Sequence, residues 1–204
     1  MSTKFARIES YLAALPDRER SFPEVTGRGT LLVNTIQDAR LSAEEQRQLP
    51  EFIRAYFEKP PHHAAWIPEA HFWSAVFAVA DLKALDARAF AAWSLESNRR
   101  LCEGIKLQAQ RDILKGAQSL EMGAMTWGTT HHGTKLTVVD AGPDFTLARL
   151  EYPKNLFNEL ANECLAGAFL AILEMAKPGR AYAVRATKVT ETFSEFRTTW
   201  KAKA

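Results

Sequence analysis

Cysteine is scarce: Cys102 and Cys164 are the only two in 204 residues, and no Cys-x-x-Cys pair exists. A disulfide-stapled scaffold and a cysteine-based zinc site are therefore excluded. Each cysteine falls on an apolar helical pattern, where the side chain acts as a small buried hydrophobe kept reduced. No run of eighteen apolar residues occurs, and the opening Met1-Ser2-Thr3-Lys4-Phe5 has no signal-peptide core, so the expected localisation is cytoplasmic, with no membrane span. Neither sign of charge dominates, since 26 Lys and Arg face 24 Asp and Glu for a net charge of +2. Without a basic patch or stripe, nucleic acid is not an expected partner. Also missing are a Gly-x-Ser-x-Gly elbow and a His-Glu-x-x-His zinc motif. The Gly27-Arg28-Gly29 spacing lacks the preceding buried strand and the Gly-Lys-Ser/Thr ending of a phosphate cradle. No reaction chemistry is indicated, and the chain is read as a non-enzyme.

What is present is a hydrophobic content of 47% and patterning that changes along the chain. The expected fold class is α+β: a single domain over residues 1–204, mainly helical over 1–120, with an antiparallel sheet and one core helix over 121–200. The helical half is expected to pack on that sheet, and the core helix to be inserted between two strand pairs. Phe5, Ile8, Tyr11, Leu12 and Leu15 mark one face of a first helix, which Pro16 ends. Phe22 to Thr30 reads as loop, and Leu31 to Ala39 as helix. Ser42 with Glu45 forms a capping box, and Pro50 divides the helical segment that follows. His62 to Pro68 should be extended, Pro68 should open a helix that is apolar nearly all round, and Asp86 should cap a helix over Ala87 to Lys115. Short β-branched segments at 125–130, 135–139 and 144–152 predict strands, with hairpin turns at His131-His132-Gly133 and Asp140-Ala141-Gly142-Pro143. The core helix is expected over Leu156 to Ala176, followed by strands at 182–187 and 192–200.

Three groups of side chains carry functional readings. The histidines His62, His63, His71, His131 and His132 include two pairs that would offer imidazoles to a metal if they met, and a metal-dependent enzyme is the third alternative. Their spacing matches no metal motif, so no metal and no cofactor are expected. Arg99, Arg100 and Arg149 read first as surface ion-pair partners and second as contacts for an acidic ligand group. The aromatic residues Phe72, Phe77, Phe90, Trp93, Trp127 and Phe169 either fill the core or line an apolar ligand cavity between the helices of 68–115 and the core helix. The expected function is a non-enzymatic, regulatory or sensory domain for an apolar or fatty small molecule. The first alternative is an interaction module with a solid core that acts as a homodimer or meets a regulatory protein.

Leu150-Glu151-Tyr152-Pro153-Lys154-Asn155-Leu156-Phe157, then Gly167-Ala168, then Phe196 and Trp200, occur within helices, a strand pair, a core helix and a terminal strand pair. In this order the chain resembles the superfamily of haem nitric-oxide-binding domains, vinyl-reductase-type ligand domains and TRAPP subunits of Golgi transport. Within it, the chain is most similar to the myxobacterial paralogous family of unknown function. The resemblance covers about Thr134 to Trp200, and implies a domain that holds a small or fatty ligand or pairs with a protein. Haem members carry Tyr-x-Ser-x-Arg and a histidine on the helix before the sheet. Here Tyr152 is followed by Pro153, Lys154, Asn155 and Leu156, Ala87 to Lys115 has no histidine, and no cysteine follows Cys164.

Overall fold

The computed structural model describes residues 4–103, 127–176 and 179–202. The chain forms two compact units, Met1–Phe90 with His131–Gly133, and Ala91–Thr130 with Thr134–Ala204. Together they make an α+β protein with two antiparallel sheets.

The first unit contains α1 (Ala6–Ala14), α2 (Gly29–Ala39), α3 (Ala43–Arg47), α4 (Glu51–Glu58) and α5 (Glu69–Leu82). The expected capping box opens α3: the Glu45 amide donates to Ser42 Oγ at 3.2 Å and the Ser42 amide to Glu45 Oε2 at 2.7 Å. Pro50 separates α3 from α4 because its ring and missing N–H cannot continue a helix. Helix α1 has no side-chain cap of its own. Asp81 of α5 supplies one, accepting from the Arg7 amide at 3.0 Å and pairing with the Arg7 guanidinium at 2.9 Å. Helix α5 is buried from Trp73 to Ala80 without interruption, as its all-round apolar sequence requires.

Three elements differ from the sequence reading. The 22–30 loop contains a strand, β1 (Thr26–Arg28), between β2 (Trp66–Pro68) and β3 (His131–His132), in the order β2-β1-β3. These strands are two or three residues long, too short for alternation to show, so only their pairing defines them. His131-His132 is thus strand rather than turn, ended by Gly133 at φ +75 against Val25. Of the strand expected over 125–130, residues 127–130, in the second unit, are helical, with Thr130 Oγ1 donating to the Trp127 carbonyl at 3.1 Å, and 125 and 126 lie outside the described residues. Gly29 admits no side chain, because a Cβ there would lie 2.4 Å from the His62 carbonyl oxygen.

The chain enters the second unit within α6 (Ala87–Glu103), which Asp86 caps by accepting from the Ala89 amide at 2.7 Å. The sheet is β4 (Lys135–Ala141), β5 (Phe145–Glu151), β7 (Phe193–Ala202) and β6 (Arg180–Val189), ordered β4-β5-β7-β6 and antiparallel throughout. Helix α7 (Glu159–Ala176) lies against β6, inserted between the two hairpins as expected. It starts three residues after the expected Leu156, since Asn155 at φ +64 turns the chain and Asn158 caps the helix through the Ala161 amide. Lys177 and Pro178, expected to close α7, lie outside the described residues, as do residues 104–115 of the long helix and Gly116 at its expected end.

Candidate functional site

In the first unit a carboxyl group sits where none would be placed for stability. Glu69 is 0% exposed at the N-terminus of α5, with its amide donating to the Val25 carbonyl at 2.9 Å. His131, on β3, brings Nδ1 within 2.6 Å of Glu69 Oε1. Among the described residues Glu69 Oε2 has no hydrogen-bond partner, and neither has the buried hydroxyl of Tyr11. Burial, then the charge of Glu69, raises the Tyr11 phenol well above its usual range, which keeps it protonated. Gly27 leaves the space for Glu69, because a Cβ there would lie 2.9 Å from Oε1.

The remaining histidines of this unit are engaged as well. His71 Nδ1 meets Tyr56 Oη at 2.8 Å, and His132 stacks on Trp66 with ring centroids 3.6 Å apart. His63 Nδ1 lies 3.4 Å from Thr30 Oγ1, and His62 Nδ1 accepts from the Ala64 amide. The two histidine pairs form no metal-ligand group among the described residues.

The six aromatic residues expected to contact a ligand divide between the units. Phe72, Phe77 and Phe90 belong to the first, where Phe77 packs edge-on to Tyr11 at 5.2 Å, 6.0 Å from Trp73 and 6.3 Å from Phe90. Phe77 and Phe90 are fully buried, whereas Phe72 is half-buried with its ring edge-on to Trp73. Trp93, Trp127 and Phe169 belong to the second unit. There Trp127 and Phe169 have centroids 6.0 Å apart, Phe169 stands edge-on to Phe196 at 5.0 Å, and Trp127 Nε1 donates to Thr134 Oγ1 at 2.8 Å. Trp93 is half-buried on α6. The arginines are ion-pair partners: Arg99 forks onto Glu174 at 3.0 and 3.1 Å, Arg100 pairs with Glu96, and Arg149 with Glu195.

The second unit also holds buried polar groups, of which the threonines are not singled out by sequence patterning. Tyr152 Oη lies 2.6 Å from Ser194 Oγ and donates to the Thr190 carbonyl at 3.0 Å. Thr146 and Thr198 face each other across β5 and β7, both buried, and neither hydroxyl has a hydrogen-bond partner among the described residues. The only sequence signal for them is threonine at positions where the β5 and β7 alternation calls for an inward side chain.

Solved structures that superpose on this chain include the Fe(II) unliganded H-NOX protein from K. algicida, at 8% identity and a TM-score of 0.61, covering 86% of this chain and 97% of that one. A Cs H-NOX carrying the unnatural residue 4-cyano-L-phenylalanine gives 10% identity and 0.56, covering 87% and 98%. An oxygen-binding H-NOX domain related to soluble guanylate cyclases gives 11% and 0.53, covering 85% and 95%. The fold is H-NOX-like. No family profile and no curated protein matches the chain.

A further solved structure with this fold concerns haem distortion in the H-NOX family, and the donor set among the described residues here does not fit a haem. All five histidines belong to the first unit and are engaged as described, while α6 carries none. Tyr152 is spent on Ser194 and Thr190, with no serine or arginine at the following motif positions. Burial pushes the Cys164 thiol up to about 12, opposed in part by a hydrogen bond with Ser94, so no thiolate ligand forms near neutral pH. Cys164 in the native protein is therefore expected to resist iodoacetamide at neutral pH and to react fully after denaturation. Peptide mass mapping reads this directly, and rapid native alkylation would contradict the buried thiol.

Proposed function

We propose that the chain is a non-enzymatic sensory domain that binds an apolar small molecule and uses no haem. The observation that carries this reading is the H-NOX-like fold spanning 86% of the chain with no histidine on α6. A fold whose solved examples include an oxygen complex supports small-molecule binding. The missing haem donors support a ligand held by apolar contact and shape.

The ligand contacts we assign are Trp93, Trp127 and Phe169 of the second unit; Phe77 and Phe90 are assigned to packing of the first, with Phe72 at its margin. Occupancy would act by favouring one conformation of the domain over another, and thereby its contact with a regulatory protein or a second copy. The nearness to the myxobacterial paralogous family rests on Leu150 to Phe157, Gly167-Ala168, Phe196 and Trp200.

Native mass spectrometry of freshly purified protein, beside the denatured sample and a Soret-region absorbance spectrum, tests the proposal. A non-covalent adduct of small apolar mass without a Soret band is expected. A stoichiometric haem adduct would overturn the haem-free reading, and a clean mass that no added apolar compound shifts would overturn ligand binding.

A further inference from the structure

The threonine pair points to the chemistry of the ligand, on the reading that the second unit binds one. Thr146 and Thr198 are 1% and 0% exposed and stand opposite each other on β5 and β7. Ala148, Leu150, Phe196 and Ser194 share their inward face; Ser194 Oγ is bonded to Tyr152, whereas the two threonine hydroxyls are buried with no hydrogen-bond partner among the described residues. Each costs free energy that valine, of the same shape, would not. A fold that keeps two such groups adjacent retains them against stability, which is the pattern of a binding position.

Their surroundings fit this. Thr198 also faces Val184 across β7 and β6, and the next inward pair is Trp200 with Tyr182. Val184, Tyr182 and Trp200 are only half-buried, so the apolar face opens toward solvent within one residue pair of the hydroxyls. On the covering side, Phe169 of α7 sits over Phe196. Leu173 follows one helical turn on, about 5.4 Å along α7. Leu173 is half-buried too, so the end of α7 is the loosely covered part of this core.

We propose that the Thr146 and Thr198 hydroxyls donate to the head of the bound molecule, and that this head is a neutral carbonyl, as in an aldehyde, ketone or ester on an apolar chain. Two adjacent donors match the two lone pairs of one carbonyl oxygen. A carboxylate head is disfavoured because no lysine or arginine is buried among the described residues to offset its desolvation. The apolar chain leaves over Val184 and Tyr182 toward the half-buried edge. Because both hydroxyls are closed from solvent here, entry requires the last turns of α7 to shift from the sheet.

Calorimetric titration of the full chain with methyl octanoate, octane and octanoate, repeated on Thr146→Val, Thr198→Val and the double variant, tests this. The unsubstituted protein should bind methyl octanoate about tenfold or more tighter than octane, and the double variant should lose that preference while staying at least as stable to urea. A preference that survives the double substitution, or octanoate binding best, would overturn the carbonyl assignment while leaving apolar ligand binding intact. Valine variants that are clearly less stable would show that the hydroxyls are structurally bonded, and would also overturn it. Failure of all three compounds to bind would overturn both this assignment and the ligand-binding function beneath it.

Discussion

Substituting His131 with alanine is expected to lower stability by about 3–5 kcal/mol, which places it among the most damaging single changes in the chain. Glu69 is fully enclosed, its Oε2 lacks a partner among the described residues, and its Oε1 meets the Nδ1 of His131 at 2.6 Å. Removing the imidazole leaves a buried carboxyl with neither oxygen satisfied, so the full desolvation cost falls on folding. The β1 to β3 backbone pairing persists in the variant, so the loss reports the side-chain pair. Replacing Glu69 and His131 together with leucine should recover much of the loss, since an apolar pair of adequate volume removes the orphaned group. Urea unfolding followed by the fluorescence of Trp66 and Trp73, both in the first unit, measures it. A loss below about 1 kcal/mol for His131→Ala would mean that Glu69 finds another donor.

This pair also marks where sequence reading stops. Where local chemistry decides the backbone, the sequence reading agrees with the structure: the Ser42 box, the Pro50 break, the Asp86 cap, the β4-β5 and β6-β7 strand pairs and the helix between them. The Arg99, Arg100 and Arg149 ion pairs follow from charge placed on outward faces. Where tertiary pairing decides, the reading fails. Nothing local distinguishes Thr26–Arg28 from loop, and His131-His132-Gly133 looks like a turn because its pairing partner, Thr26-Gly27, lies more than a hundred residues earlier. Glu69 reads from sequence as a favourable acidic residue in the first turn of α5, which it is; that it is also wholly buried depends on β1 lying above it. The unpartnered threonines are invisible for a related reason. Threonine suits any strand, and only register and burial show that Thr146 and Thr198 face inward together.

The aromatic residues are where fold and function have to be separated, and Phe77→Ala separates them. In the first unit Phe77 is 0% exposed and ringed by Tyr11, Trp73 and Phe90 at 5.2 to 6.3 Å. Neighbouring α5 residues Val76, Ala78, Val79 and Ala80 are buried as well, so the surroundings cannot easily collapse into the vacated volume. The expected cost is therefore about 3–5 kcal/mol, lost transfer energy and cavity together. The same substitution at half-buried Trp93 should cost less than at Phe77 and should weaken binding of an apolar compound, because a wall that a ligand completes is not fully packed without it. Urea unfolding for stability, and titration with methyl octanoate for binding, read the two effects apart. If Phe77→Ala costs little stability but abolishes binding, the ligand contacts extend into the first unit, and the assignment of Phe77 to packing is wrong.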